Sequence, residues 1–522
     1  MSSLPSIGLV LAASLALALP AFADTPVGSL VSSEIYALDV VSEASGPTPI
    51  RKPLDEYTIE RARREIPASL DGVTARLVES AELPVVPASN LIEMEPVWKR
   101  AGHTDWLLLG RGSYGLAELE RRLGRPDVLE RQSDGSYLLR RPLYIAPTGS
   151  LVIRDGEWLK LSIEDGVLLL SHGKLVAVGS RITSWSRRLG NRGPRPRLSK
   201  QEQRLRSRHV PRPYLLFQNG SRTWIAASEL SGLGYMGGFS SYGLSFSATL
   251  GRRGLNSHLQ RLPRPRGWLI GNRIEDLFFG LYSNRTAELV AVGNDFDRNV
   301  VYGIDPHDYS KGVLIARNVA RNTLHAHGVI LSREVSNAQV VENVAILNAG
   351  SGIMLDRACE RVLVDENFAV SNSNDGISIF ESGDAWVTRN ESSLNLRNGI
   401  LVRNSDDAEI RGNSLARNGV DGVELTARRL NDPSRSARLD PYRVRTTAGV
   451  LSNVFDDNAN SAVNAKGAAE IALGGNEYVA SGPLYFSGDL ARQMRALLRG
   501  EPRENGRVLQ LERRSSAAET GP

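Results

Sequence analysis

The sequence predicts an all-β protein whose fold is a right-handed parallel β-helix, a solenoid of about 23–25 residues per coil. Two columns of identical residues recur with one shared period, and short aliphatic runs separated by Asn, Asp and Gly lie between them. A chain of 522 residues would otherwise need about three domains of ~100–200 residues each. A single long solenoid accounts for the length and for the repeat together.

The first column is a glycine followed by an aliphatic residue, and the second is an asparagine. The glycine column has steps of 23, 25, 24, 24, 23 and 23 residues and consists of Gly280-Leu281, Gly303-Ile304, Gly328-Val329, Gly352-Ile353, Gly376-Ile377, Gly399-Ile400 and Gly422-Val423. The asparagine column has steps of 24, 25, 24, 23 and 23 and consists of Asn294, Asn318, Asn343, Asn367, Asn390 and Asn413. We expect Gly where each bend enters a strand, and a ladder of stacked side-chain amides at the Asn bend.

Short strands without helical periodicity complete each unit, as in Val362-Leu363-Val364 and Ile377-Ser378-Ile379. Leucine-rich repeats share the period but need several leucines at fixed spacing, which this repeat lacks. Leu151-Val152-Ile153 and Tyr214-Leu215-Leu216-Phe217 are typical of earlier, less regular coils, and Ile471-Ala472-Leu473 of a last one.

The sequence divides into four segments. Residues 1–23 are apolar and end in Ala21-Phe22-Ala23, which predicts a signal peptide cleaved after Ala23 and a periplasmic protein. We expect a cap or extension at 24–140, the β-helix with a groove for its function at 141–483, and a C-terminal cap with a flexible tail at 484–522. Open solenoid ends need such covers, and a short helix is predicted near Met494.

The net charge is +5 and the chain has one cysteine, Cys359, which we expect to be buried and which forms no disulfide within the chain. A basic exported protein favours anionic glycans, lipopolysaccharide or membrane surfaces as partners over nucleic acid. Residues 187–212 contain ten Arg or Lys against one Glu, and residues 251–268 contain five Arg and no acid. These two segments can be interpreted either as solvated loops or as a groove or lid that binds a polyanion.

One coil departs from the pattern, with Asp305-Pro306-His307-Asp308 inside Tyr302–Ser310. Proline ends the regular strand pattern, and a coil that departs from the pattern of a regular repeat indicates a functional site. Alignment on the glycine column puts His307 in register with Ser332, Asp356 and Arg403, and Asp308 in register with Arg333, Arg357, Glu381 and Asn404. With coils ~4.8 Å apart and strand neighbours ~3.3 Å apart, His307 and Arg333 should lie within roughly 5–7 Å on one face.

This coil resembles the periplasmic mannuronan C5-epimerase family of alginate biosynthesis, whose hallmark Asp-Pro-His-Asp stands at residues 305–308. The similarity extends over nearly all of the mature chain. It implies that His307 is the base that removes the C5 proton and that Arg333 neutralises the substrate carboxylate, with water as the proton donor on the other face. It also implies polymeric alginate as substrate and the proteins of an alginate export complex as partners.

The chemistry of C5 epimerisation requires the same two groups, a base for the C5 proton and a cation for the carboxylate. A uronate C5 proton is weakly acidic because its carbanion must delocalise into a carboxylate that is already negative. A planar guanidinium such as that of Arg333 can bridge both carboxylate oxygens, and imidazole is a suitable base near neutral pH. Asp305 or Asp308 would fix the tautomer of His307.

Further residues of the same wall are candidates for substrate binding, each with an alternative as surface charge or structural filler. They are Tyr302, Lys311, Asp356, Arg357, Arg403, His325 and His327, with Tyr309 as a second possible hydroxyl or stacking ring. Asp305, Asp308, Asp356 and Glu381 suggest calcium, but Arg333 and Arg357 share their columns and the calcium-binding nonapeptides of β-rolls are absent. We therefore expect no metal and no cofactor.

Two other functions fit the same sequence. A polyuronate lyase starts with the same proton abstraction and then expels the 4-O-linked sugar, and the sequence separates it poorly from an epimerase. A non-catalytic scaffold would shield the polymer as it crosses the periplasm. We expect a monomer in isolation.

Overall fold

The structure, a computed structural model, describes residues 35–43, 49–83, 88–196, 211–238, 240–249, 257–432, 435–436, 438, 440–480, 484–503 and 506–514. These residues belong to one compact unit. The predicted signal peptide, the last eight residues and parts of both basic segments (197–210 and 251–256) lie outside the described residues.

The described strands form three long sheets, and each coil adds one strand to each sheet. Sheet 1 contains, in order of pairing, Ala75–Glu79, Asp105–Leu109, Leu143–Ile145, Leu169–Ser171, Leu215–Phe217, Gly243–Ser247, Phe279–Asn284, Tyr302–His307, Val329–Ser332, Ile353–Asp356, Ile377–Phe380, Ile400–Arg403, Asp421–Thr426, Ser461–Lys466 and Leu484–Gly488. Sheet 2 contains Tyr36–Ser42, Arg507–Arg513, Glu470–Gly474, Thr447–Leu451, Ala408–Arg411, Gly383–Thr388, Glu360–Asp365, Gln339–Val341, Leu314–Ala316, Val290–Val292, Arg266–Ile270, Arg222–Ala226, Lys174–Val178, Gly149–Ile153 and Gly112–Gly115. Sheet 3 contains Glu477–Ala480, Val454–Asp456, Ser414–Ala416, Glu391–Ser393, Phe368–Val370, Val344–Ile346, Val319–Arg321, Asp295–Asp297, Arg273–Glu275, Glu229–Ser231, Arg181–Trp185, Trp158–Ser162, Tyr137–Leu139 and Leu129–Arg131.

Neighbouring coils pair in parallel, which confirms the predicted β-helix. Tyr302–His307, for example, lies between Phe279–Asn284 and Val329–Ser332. Antiparallel pairs occur toward the ends, where Arg507–Arg513 covers Glu470–Gly474 and itself pairs with Tyr36–Ser42. Extra strands of this kind protect the open ends of a solenoid.

Helices are few and short among the described residues. They are Ile59–Arg63, Ala88–Ala101, Leu116–Leu123, Ser257–Gln260 and the predicted C-terminal helix Met494–Gly500, with 3₁₀ turns at Ser80–Glu82 and Ala491–Gln493. No helix in the described part of the chain has the length and apolar character to cross a membrane.

Parallel pairing reaches beyond both predicted domain boundaries. It already joins Asp105–Leu109 to Leu143–Ile145, before residue 141, and it still joins Ser461–Lys466 to Leu484–Gly488, after residue 483. The division into an N-terminal cap, a groove-bearing β-helix and a C-terminal cap therefore stays a proposal.

The glycine and asparagine columns have the predicted structural roles. A Cβ atom on Gly303 would lie 2.4 Å from the carbonyl oxygen of Gly328, so only glycine permits this approach of the coils. In the asparagine ladder, Asn318 Nδ2 donates to Asn343 Oδ1 at 2.9 Å, and Asn343 Nδ2 donates to Asn367 Oδ1 at 2.9 Å. A second ladder, which the sequence analysis missed, consists of Asn348, Asn372, Asn395, Asn418 and Asn458.

Candidate active site

His307 closes the sheet 1 strand Tyr302–His307 and faces outward. Ile304 belongs to the hydrophobic core, so the alternate residues Asp305 and His307 point away from it. His307 is in register with Asn284 of the preceding coil and with Ser332 of the next, and the column continues through Asp356, Phe380 and Arg403. The register predicted from the glycine column is confirmed.

The next residue of each coil forms a bend with a left-handed backbone. The bend residues are Asp308, Arg333, Arg357, Glu381 and Asn404, with φ of 35°, 58°, 64°, 47° and 50°. Backbone hydrogen bonds continue between the coils here, because the Asp308 N–H donates to Ser332 O at 3.0 Å and the Arg333 N–H donates to Asp356 O at 2.8 Å. The bend column therefore stacks beside the His307 column, and Asp305, His307, Asp308 and Arg333 share one wall.

His307 lies beside a polar pair that reaches the preceding coil. Its Nδ1 lies 3.0 Å from Asp308 Oδ2, at ion-pair distance but without hydrogen-bond geometry, and that oxygen accepts a 3.0 Å hydrogen bond from Asn284 Nδ2. The imidazole is 22% exposed, so it remains accessible. Burial lowers the pKa of His307, but the carboxylates of Asp305 and Asp308 outweigh it and the net effect raises this pKa above its ordinary value.

Asp305 is a buried carboxyl group beside the imidazole. It is 1% exposed, and neither side-chain oxygen has a hydrogen-bond partner among the described residues. Burial raises the pKa of Asp305 to about 7, an effect that the positive charge of His307 opposes and the charges of Asp308 and Asp356 reinforce. Asp305 therefore titrates near neutral pH next to His307.

Arg333 presents a free guanidinium to the same wall. Its side chain is exposed, and it forms no ion pair within 4.0 Å with any described residue. Its positive charge is close enough to His307 and Asp308 to lower the pKa of both. An unpaired cation beside a candidate base is suited to a substrate carboxylate.

A cavity of about 410 Å³ follows on the C-terminal side of His307. Its lining includes Asp356, Arg357, Glu381, Arg403, Arg428, Arg429 and Arg435. Arg403 donates to Glu381 at 2.9 Å and lies 3.7 Å over the Phe380 ring, while Arg435 donates to the other oxygen of Glu381 at 2.8 Å. Arg357 contacts Asp356 at 3.3 Å and Asp440 at 3.1 Å, so Arg357 and Arg403 face this cavity but are already paired with acids.

The remaining predicted residues lie away from the imidazole. The rings of Tyr302 and His327 stack at 5.9 Å at the start of the strands, where burial lowers the pKa of His327 to about 4 and its Nδ1 accepts from the Ser351 N–H. His325 is exposed in the segment before that strand. Lys311 is exposed at the corner leading to sheet 2, in a separate column with Ala287 and Ser336.

Sequence reasoning missed several neighbours of the site. Asn284 holds Asp308, and Tyr282, whose ring lies 5.8 Å from that of His307, is in register with Asp305. The glycine column contained this signal, because Asn284 and His307 each lie four residues after their glycine. Arg435 and Asp440 come from an irregular loop and had no such signal.

Known proteins resemble this chain over most of its length. A mannuronan C5-epimerase of Pseudomonas fluorescens is 33% identical over 461 residues, covering 83% of this chain and 84% of the relative. The mannuronan C5-epimerase AlgG of Azotobacter vinelandii is 30% identical over 475 residues, covering 90% and 88%. The chain belongs to the mannuronan C5-epimerase family.

The family assignment agrees with the fold. The crystal structure of the periplasmic alginate epimerase AlgG matches with a TM-score of 0.70 at 27% identity, over 85% of this chain and 100% of that one. Residues 280–481 also match the family described as periplasmic copper-binding protein (NosD). Epimerases are isomerases, so the chain is an enzyme of that class. Within the described residues, no three His, Cys, Asp or Glu side chains are grouped to hold a metal ion.

Proposed function

We propose that this epimerase converts β-D-mannuronate to α-L-guluronate residues within polymeric alginate in the periplasm. The observation that carries the proposal is the outward imidazole of His307, with Nδ1 3.0 Å from Asp308, beside the guanidinium of Arg333 from the next coil, which has no ion-pair partner among the described residues. The names of the relatives support the polymer and the reaction, since AlgG is described as a periplasmic alginate epimerase.

In the proposed mechanism, Arg333 binds the carboxylate of the reacting sugar with two parallel hydrogen bonds. This neutralises the charge that otherwise opposes a second negative charge at C5, and it stabilises the enediolate that forms. Nδ1 of His307 faces Asp308, so Nε2 is the ring nitrogen that takes the C5 proton. The C5–H electron pair moves into the carboxylate system and leaves C5 planar.

Water then returns a proton to C5 from the opposite face, which inverts the centre without breaking the glycosidic bond. His307 then releases the abstracted proton to the solvent, where it neutralises the hydroxide left by that water, so the neutral base is regenerated before the next turnover. We assign Tyr302, Asp356, Arg357 and Arg403 to binding of the neighbouring sugars. We keep Lys311, His325 and His327 as candidates for more distant contacts.

The proposal also includes the cellular setting. We place cleavage of the signal peptide after Ala23, the catalytic groove within residues 141–483, and caps at 24–140 and 484–522. Proteins of an alginate export complex are the proposed partners.

A proton NMR assay on polymannuronate in heavy water tests the reaction. The native chain should place deuterium at C5 and form guluronate signals in chains of unchanged length, and His307→Gln should lose at least about 10³-fold in rate. His258→Gln, which changes an exposed histidine elsewhere, is the matched control. Unsaturated ends that absorb ultraviolet light would indicate the lyase instead, and a His307→Gln variant with native activity would contradict the proposed base.

A further inference from the structure

A second basic cavity, of about 370 Å³, lies where the sheet 1 strands turn into sheet 2 on the N-terminal side of His307. Four of the residues that line it are Lys or Arg, namely Lys174, Arg222, Arg264 and Arg266, and none of its described lining residues is acidic. Leu262 and Pro263 add apolar surface. Such a cavity is suited to an anion that also carries a less polar face.

The register places this cavity on the same solenoid corner as the catalytic bend. Lys174 pairs with Arg222, and Arg222 with Arg266, so three successive coils each contribute one cation at the start of the sheet 2 strand. The coil of Arg222 precedes that of His307 by three coils, a rise of about 14 Å at ~4.8 Å per coil. A uronate chain several sugars long spans that distance.

Two of the four cations are free of acidic partners. Lys174 Nζ lies 2.7 Å from Glu65, and Arg266 lies 3.4 Å from Glu288. Arg222 and Arg264 are exposed, and in the described part of the chain neither is within ion-pair distance of a carboxylate. Neighbouring cations that lack local counter-charges raise the local concentration of anions.

Arg264 also connects the cavity to the catalytic bend. Its guanidinium donates to the backbone carbonyl of Tyr309 at 3.5 Å, one residue after Asp308. A polymer bound at His307 and extended toward the N-terminal coils would therefore meet Arg264 first and Arg222 next.

We propose that this cavity is a distal subsite, in which Arg222 and Arg264 bind carboxylates of the uronate chain on the N-terminal side of the reacting sugar. The inference rests on the proposed function and adds a determinant of chain-length preference to it. Long chains reach both His307 and Arg222, whereas a disaccharide bound at His307 does not reach Arg222. The subsite strengthens binding and leaves the chemical step unchanged.

The test compares the double variant Arg222→Ala/Arg264→Ala with the native chain and with Arg499→Ala, an exposed arginine on the C-terminal helix. Each exposed carboxylate contact that is lost weakens binding modestly, so KM for polymannuronate should rise about three- to tenfold while kcat stays within about twofold. Kinetics of the single variant Arg222→Ala on a mannuronate disaccharide should not change, because a disaccharide bound at His307 is shorter than the ~14 Å rise to the coil of Arg222. The double lysine variant should restore most of the loss.

Equal KM values for the double variant and the control would overturn the subsite, and so would a matching loss for Arg222→Ala on polymer and on the disaccharide. If the native chain shows no epimerisation, the proposed function fails, and calorimetric titration with polymannuronate then decides the subsite alone. A Kd that rises only in the double variant supports it, and an unchanged Kd overturns it.

Discussion

Arg333→Ala is expected to remove the group that stabilises the enediolate without disturbing the fold. Loss of one preorganised donor to a developing oxyanion costs about 2.7–4 kcal/mol, or roughly 10²–10³-fold in kcat/KM. The guanidinium is exposed and unpaired among the described residues, so its removal leaves no buried polar group behind. The free energy of unfolding should change by no more than about 0.5 kcal/mol.

Arg403→Ala provides the contrast on the same wall. Arg403 pairs with Glu381, whose side chain is 2% exposed, and the lost partner should cost about 1–3 kcal/mol of stability. Guluronate formation by proton NMR measures activity, and denaturant unfolding measures stability. An Arg333→Ala enzyme within about fivefold of native activity, or one destabilised as much as Arg403→Ala, would refute the reasoning.

Two further predictions concern protonation and the fold. The epimerisation rate should fall as the pH drops through the pKa of His307, because the base must be neutral, and Asp308→Asn should move this acid limb to lower pH by removing a carboxylate that stabilises the imidazolium. The pH profile of kcat/KM checks this, and a limb that stays in place or moves upward contradicts it. Asn343→Ala should destabilise the protein by about 3–5 kcal/mol, because it leaves the backbone and side-chain N–H groups of Asn318 without their acceptor and removes the donor to Asn367. Denaturant unfolding measures this loss, and a change below about 1 kcal/mol would show that the ladder is not a main source of stability.

The fold could be predicted because each coil of the repeat needs the same type of residue at the same two positions. The position of Gly303 has no room for a Cβ atom, and the position of Asn343 requires a side-chain amide that both accepts and donates a hydrogen bond. Glycine and asparagine therefore recur at these positions along the sequence. The second ladder was equally regular, with Asn348, Asn372 and Asn395 at steps of 24 and 23, and it was overlooked although its signal was present.

The site could be predicted only as far as the repeat extends. Register placed His307 beside Ser332 and ahead of Asp356, because counting from the glycine column is sufficient within the coils. The charge state of the wall depends on segments that the repeat does not include. Arg435, from an irregular loop, binds Glu381 across 54 residues, and Asp440 of the same loop contacts Arg357 at 3.1 Å. No local pattern specifies which arginines such segments leave unpaired.

The position of Pro306 within the stack explains how the fold tolerates a disrupted coil. Proline has no N–H to donate between coils, and the pairs formed directly with the next strand are Ile304 with Val329 and His307 with Ser332. One missing bond costs about 0.5–1.5 kcal/mol, whereas solenoid stability is a sum over all interfaces between neighbouring coils. The ladder through Asn318 crosses the same coils on another bend and remains complete. A buried carboxyl that has no hydrogen-bond partner among the described residues, such as Asp305, is therefore best tolerated in the middle of the stack, where intact coils on both sides hold the backbone in register.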